Sequence, residues 1–270
     1  MKKIALALMV FLMVAACKTN PFTGKKMFNM HSNSSIFPTA FAQYDQFLNE
    51  NKVIEGTADA QMIERVGKKI ASAAERWFNA NGYPGYLKDY RWDYNLVDDK
   101  TVNAWCMPGG KIVFYTGILP VCQGETGVAV VMGHEVAHAL ADHGAQRMSA
   151  GTLQQIGAVG VAVATSGQTA ANQDMWMQAY GLGSQVGGML PFSRGHESEA
   201  DKIGLTLMAI AGYNPDEAAE LWKRMKASGG EAPPEIMSTH PSNDTRIANL
   251  TQWAPNAKAE AAKFGVTTFK

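Results

Sequence analysis

The sequence predicts an α+β fold, mostly helical, on three observations. Met62, Ile63, Val66, Ile70 and Ala74 recur at spacings of three and four, the period of one helix face. From Arg91 the period drops to two: Trp92, Tyr94 and Leu96 alternate with Arg91, Asp93 and Asn95, marking a half-buried strand. Beyond Glu125 helical patterning resumes and dominates the rest of the chain.

The elements follow in order. Met1-Lys2-Lys3 is basic, and Ile4 to Ala16 is an apolar run of 13 residues, too short for an ordinary membrane-spanning helix. It reads as an export leader. It ends Val14-Ala15-Ala16-Cys17, which resembles a bacterial lipobox, so residues 1–16 are expected to be removed and Cys17 acylated. An ordinary secretory signal with a chance cysteine is the plainer alternative. Lys18 in place of Asp favours, in a Gram-negative cell, the periplasmic side of the outer membrane. Residues 17–37 are polar and turn-rich and read as a lipid-anchored tether, leaving 38–270 as a single domain.

Within that domain helices are expected over 39–49 and 58–79. Strands follow near 91–96, 102–107 and 111–116, the last two joined by the Pro108-Gly109-Gly110 turn as an antiparallel hairpin. A helix over 125–141 comes next. Residues 151–188, rich in Gly, Ala, Ser and Gln, read as a helix and then a mobile stretch, and the sequence leaves open whether 151–190 forms a lid. Helices return over 197–211 and 215–227, the second with Asn214 as N-cap and Pro215 at its first position, and two short ones close the chain.

With 24 basic and 24 acidic residues the chain has no net charge and no basic run, so nothing attracts nucleic acid. In an oxidising compartment Cys106 and Cys122 can form a disulfide; two buried free thiols are the other reading.

The chemistry lies in His134-Glu135-Val136-Ala137-His138. On a helix, residues four apart share a face, so both imidazoles can reach one zinc ion while Glu135 points at the water it binds. Zinc lowers that water's pKa to about 7 and polarises a carbonyl, and the carboxylate carries the proton to the leaving amine. With 6 histidines in 270 residues, a chance match is expected roughly 0.006 times. Gly133, Ala137 and Ala139 would let a metal or a strand approach the helix closely. The domain is therefore expected to be zincin-like, with the small sheet beside the HExxH helix.

A catalytic zinc site has three protein ligands and an open position. Ala141 and Gly144 break the metzincin pattern, and His143, five residues past His138, faces elsewhere, so the third ligand must come from farther on. The densest source is Ser193 to Gly204, SRGHESEADKIG.

These residues carry a resemblance. GHEVAH, then the SRxxExEADxxG stretch, then THPSNDTR from Thr239 to Arg246, resemble the gluzincin metallopeptidases of the CAAX prenyl protease and HtpX type. The likeness is greatest to their periplasmic lipoprotein branch and the related mitochondrial inner-membrane quality-control protease, and it runs over roughly 90–250 and the Asn-Pro-Phe-Thr-Gly stretch after Cys17. It implies that Glu197 is the third zinc ligand and Asp201 its support. Helix geometry agrees: Glu197 and Asp201 share a face, whereas Glu199 lies about 200° around from Glu197. Asp201 can then accept the second N–H of a ligating imidazole, leaving Glu199 and His196 as solvated neighbours. The resemblance also implies that Asn103, Ala104 and Trp105 belong to an edge strand that takes an extended substrate, with Asn103 either orienting it or serving only as a turn residue. It implies that His240 and Arg246 stabilise the oxyanion, or that His240 blocks the resting site as a fourth ligand.

The function expected is a zinc endopeptidase, tethered to a membrane by lipid, that degrades unfolded or misassembled envelope proteins. The alternative is a chaperone or assembly factor with a self-inhibited zinc site.

Overall fold

A computed structural model describes residues 17–228, 235–240 and 244–270; the leader expected over 1–16 lies outside the described residues. In chain order the elements are β1 Cys17–Thr19, β2 Lys26–Phe28, α1 Asn33–Glu50, β3 Val53–Ile54, α2 Ala58–Ala80, β4 Asp93–Val97, β5 Ala104–Met107 and β6 Lys111–Tyr115. A 3-10 turn then leads to α3 Leu119–Cys122, α4 Glu125–Leu140, α5 His143–Ala164 and α6 Ala170–Ser184. After a π turn over Gln185–Met189 come α7 Leu190–Ile210, α8 Glu217–Ala227, α9 Glu235–Thr239 and α10 Asp244–Ala262. The expected class, mostly helical α+β with a small sheet, is the class observed.

Two compact units are distinguished. One takes in the chain up to Ser32 together with Asp142–Glu197, and the other Asn33–Ala141 with Ser198–Lys270.

The larger unit holds the four-stranded sheet, ordered β3-β4-β6-β5, so β5 is an edge strand. β5 and β6 form the expected antiparallel hairpin, Ala104 opposite Phe114 and Met107 opposite Lys111. Its turn needs glycine: Gly109 and Gly110 have φ of 85° and 87°. β4 pairs with β6 in parallel, a long-range pairing that strand periodicity does not encode. On one face α1 lays Tyr44 against Val97 and Val113, its hydroxyl donating to the Ile112 carbonyl at 3.1 Å. α2 packs against β4, and a Cβ at Gly67 would collide with the Tyr94 ring. Thr57 caps α2 by accepting from the Ala60 N–H at 3.2 Å. Ile63, Val66 and Ile70 on its inner face are fully buried, as their spacing predicts.

The smaller unit pairs β1 with β2 antiparallel and packs β2 on α5, the Met30 N–H donating to Ser149 Oγ at 2.9 Å. A short sheet thus lies within the stretch that reads as tether from composition.

Several boundaries differ from expectation. α1 starts at Asn33, before Pro38, although proline normally marks a first turn. Residues 151–188, expected to be a helix and a mobile stretch, instead complete α5 and form α6. α8 begins at Glu217, while Asn214 Oδ1 accepts from the Asp216 N–H at 3.2 Å one turn earlier. One helix, α10, replaces the two short closing ones.

Candidate metal centre

α4 carries the HExxH residues, and the helix is buried from Gly127 to Leu140. Its N-terminus is fixed by Glu125, which bonds Tyr213 Oη at 2.6 Å and Arg65 at 3.1 Å; an acid there also complements the helix dipole. At the other end Tyr90 Oη donates to the Ala139 carbonyl at 3.1 Å. In its middle α4 crosses α7 backbone to backbone. A Cβ on Gly133 would lie 2.9 Å from the Gly204 carbonyl oxygen, and one on Gly204 would lie 2.9 Å from the His134 nitrogen. The small residue beside the motif therefore admits a helix, where a metal or a strand was expected.

This crossing sets α7 beside α4. His134, His138, Glu197 and His240 each offer a ligand atom, all within 4.8 Å of one another. Glu197 is the last residue of the smaller unit, but α7 runs unbroken through it, so helix continuity with Asp201 fixes its place. His138 Nε2 lies 3.1 Å from His134 Nε2, and His240 Nδ1 lies 3.1 Å from the same atom. Nitrogens at about 2.0–2.1 Å from a tetrahedral zinc stand roughly 3.3 Å apart, so the donor set fits that ion in both type and spacing.

Behind the ligands, His134 Nδ1 lies 2.9 Å from Asp201 Oδ1, which assigns the Nδ1 proton to that bond and turns Nε2 toward the cluster. Arg246 grips the same carboxylate, Nε to Oδ2 at 2.8 Å and Nη2 to Oδ1 at 2.7 Å. Burial by itself raises the Asp201 carboxyl, but the Arg246 guanidinium and His134 outweigh it and hold the group below the usual carboxylate range. Arg246 also donates from Nη1 to the His240 carbonyl at 3.3 Å and lies 3.5 Å over the Trp222 ring. Its guanidinium thus braces the ligands from behind.

His240 follows the short α9, whose Ile236 N–H donates to the Val102 carbonyl at 3.3 Å. Its Nε2 stands 3.6 Å from Glu135 Oε1, beyond hydrogen-bond range, with the imidazole partly exposed and the carboxylate buried. The structure therefore brings together His134, Glu135, His138, Glu197, Asp201, His240 and Arg246.

Asn103, Ala104 and Trp105 lie at the start of β5. Asn103 Oδ1 accepts from the Ala104 N–H at 2.9 Å and its carbonyl accepts from the Tyr115 N–H at 3.1 Å, the bonding of a strand-start residue. Trp105 turns to α1, 4.9 Å from the Phe47 ring. Cys106 and Cys122 are free thiols, so the expected disulfide is absent; burial pushes the Cys122 thiol up to about 12 and raises Cys106 well above its usual range.

The solvated neighbours prove buried. His196 stacks on His143 at 4.0 Å and approaches Gln146 Oε1 at 3.3 Å, and Glu199 is also buried. Helical phase alone placed them on a solvent face; packing on several sides of α7 overrides it. Trp222 and Tyr90 escaped sequence reasoning, for a lone aromatic has no motif.

An HExxH helix joined by a downstream glutamate and a buried Asp–Arg brace, beside a small sheet, defines a zincin-type zinc metallopeptidase. Within that class, the chain belongs to peptidase family M48, whose model matches residues 57–254. Among curated proteins it is 36% identical to the mitochondrial metalloendopeptidase OMA1 of Schizosaccharomyces pombe, over 64% of this chain and 50% of that one. It is 32% identical to the protein of the same name in Saccharomyces cerevisiae, over 72% and 56%. The Escherichia coli beta-barrel assembly-enhancing protease is 28% identical over 57% and 32%. The chain spans about half the length of the first two. The periplasmic outer-membrane placement expected from the N-terminus is thereby corrected: the relatives of higher identity are mitochondrial and the bacterial one is less similar.

Proposed function

We propose that the chain is a zinc-dependent endopeptidase that cleaves unfolded or misassembled polypeptides. The observation that carries this reading is the convergence of His134, His138 and Glu197 beside the buried carboxylate of Glu135. Bound zinc would polarise the scissile carbonyl and acidify the attacking water. The chain's own residues supply the rest. Glu135 takes the proton of that water and returns it to the departing amine. Asp201, held by Arg246, keeps the His134 ring oriented and its Nε2 available. The edge strand β5 adds the substrate as a further strand through backbone bonds, which favours extended chains over folded ones. Asn103 stands at the mouth of that edge.

The peptidase domain then begins before residue 38, because residues 17–32 fold with α5 and α1 starts at Asn33, and acylation of Cys17 would anchor this folded end, as in the lipoprotein branch the motifs resemble. Misassembled membrane-associated proteins, envelope proteins among them, are the substrates such an anchor would bring within reach.

A second reading, a chaperone or assembly factor with a self-inhibited site, draws on the position of His240 Nδ1, 3.1 Å from His134 Nε2. Glu135→Gln tests the first reading. It is expected to keep its zinc and lose cleavage of casein, and undiminished cleavage would remove the mechanism.

A further inference from the structure

The smaller unit carries an unusual surface. Among the described residues, nine of the eleven exposed large hydrophobic side chains lie between Met148 and Leu190. Ile156, Val159 and Val163 on α5 and Met175, Trp176 and Leu182 on α6 are 49% to 69% exposed. From Met148 to Ser193 the only charged side chain is Asp174. A water-facing helical hairpin would normally be studded with charges.

Some of the hairpin's polar groups bond within it, while Gln155, Asn172, Asp174 and Gln178 stay exposed. Tyr180 Oη donates to the Gln154 carbonyl at 2.8 Å, and Gln154 Nε2 donates to Ser184 Oγ at 2.8 Å, so the seam between α5 and α6 is polar. A Cβ on Gly157 would collide with the Tyr180 hydroxyl, so glycine there permits the close approach. The hydroxyls of Thr152, Thr165 and Ser166 donate back to carbonyls of their own helix, those of Met148, Val161 and Val163. This satisfies them without water. A bonded polar seam, with outer faces that mix large apolar side chains with a few amides and a single charge, suits the boundary between water and lipid.

In sequence the chain's other apolar stretch, Ile4 to Ala16, immediately precedes β1, which pairs with β2, and β2 packs on α5. No described helix is long and apolar enough to cross a membrane. We propose that the α5–α6 hairpin lies in the interfacial layer of a lipid bilayer, with the outer faces around Val159 and Leu182 among the acyl chains and Trp176 at headgroup depth. Insertion is driven by apolar area, since a segment with one acid has no charge to offer anionic lipid. The proposal stands apart from the peptidase reading and from acylation at Cys17.

The test uses the full chain with Cys17→Ser, which removes any thioether lipid, and phosphatidylcholine vesicles with or without phosphatidylglycerol. Co-flotation is expected with both compositions. Replacing Ile156, Val159, Val163 and Leu182 together by Gln is expected to weaken partitioning about tenfold or more, with circular dichroism and bound zinc unchanged. As a second measurement, spin-labelled phosphatidylcholine is expected to quench tryptophan emission in the parent and to quench it far less in Trp176→Phe. Equal partitioning of parent and Gln variant, binding only to the anionic vesicles, or quenching that Trp176→Phe leaves unchanged would each overturn the proposal. Self-association through these residues without vesicle binding would also overturn it, assigning the face to a second copy.

Discussion

Arg246 holds Asp201 through two parallel bonds of 2.8 and 2.7 Å, and Asp201 in turn holds Nδ1 of His134 at 2.9 Å. The guanidinium therefore reaches the metal site through a carboxylate and an imidazole. Arg246→Lys keeps the charge but loses the fork, and zinc affinity is expected to fall about 10- to 100-fold by competition titration with a chromophoric chelator. An oxyanion donor would behave otherwise, lowering kcat with zinc affinity intact.

Removing Arg246 altogether leaves the buried Asp201 carboxylate facing His134 alone. Arg246→Ala is expected to cost about 3–5 kcal/mol of stability, measured by urea unfolding of the zinc-free chain so that lost metal does not enter the comparison.

Glu197 and Glu199 are both buried, so exposure cannot separate them, and only Glu197 offers an oxygen to the cluster. Glu197→Ala is expected to abolish stoichiometric zinc by metal analysis and Glu199→Ala to retain it. Equal loss in both would overturn the ligand assignment.

His240 stands within the ligand set, where it would occupy the position a water needs. His240→Ala is expected to raise casein cleavage in the resting enzyme. A drop to the level of Glu135→Gln would instead place the imidazole in the reaction.

Glu125 titrates at about 2 against an ordinary 4.5: partial burial opposes ionisation, but bonds from Tyr213 and Arg65 prevail. A lowered folded-state value means that its stabilisation is present above pH 4.5 and drains away as pH falls toward 2. Glu125→Gln should therefore be less stable than the parent at pH 7, and the two should converge near pH 2. The group is partly exposed and its cationic partners lie near solvent, so the difference is expected to be modest and to shrink in high salt. Thermal melts across that range check it.

Much of this site was legible in the chain because its chemistry repeats at helical spacing. His134 and His138 are four apart, as are Glu197 and Asp201, and that interval survives folding unchanged. Strand pairing order, the inward turn of Arg246 and the burial of His196 and Glu199 were not legible. Each depends on residues far away in sequence, Trp222 beneath the guanidinium and Gln146 beside the imidazole, whose contribution appears only once helices pack. The hairpin of α5 and α6 was misread for another reason: small residues such as Gly157 weaken helix propensity, yet they allow the close seam that stabilises it.

The contact of Gly133 with Gly204 gives the metal a mechanical part. His134 follows the first glycine directly and Asp201 precedes the second by three residues, so the two helices are clasped at one point by bare backbone and at the next by an imidazole on a carboxylate. An ion pulling on His134 would tighten that clasp, and a methyl group wedged between the glycines would spring it. Gly204→Ala, which meets His134 only at its backbone nitrogen and alters no ligand atom, should therefore mimic chelation: about 1–3 kcal/mol less stable, and leaking zinc.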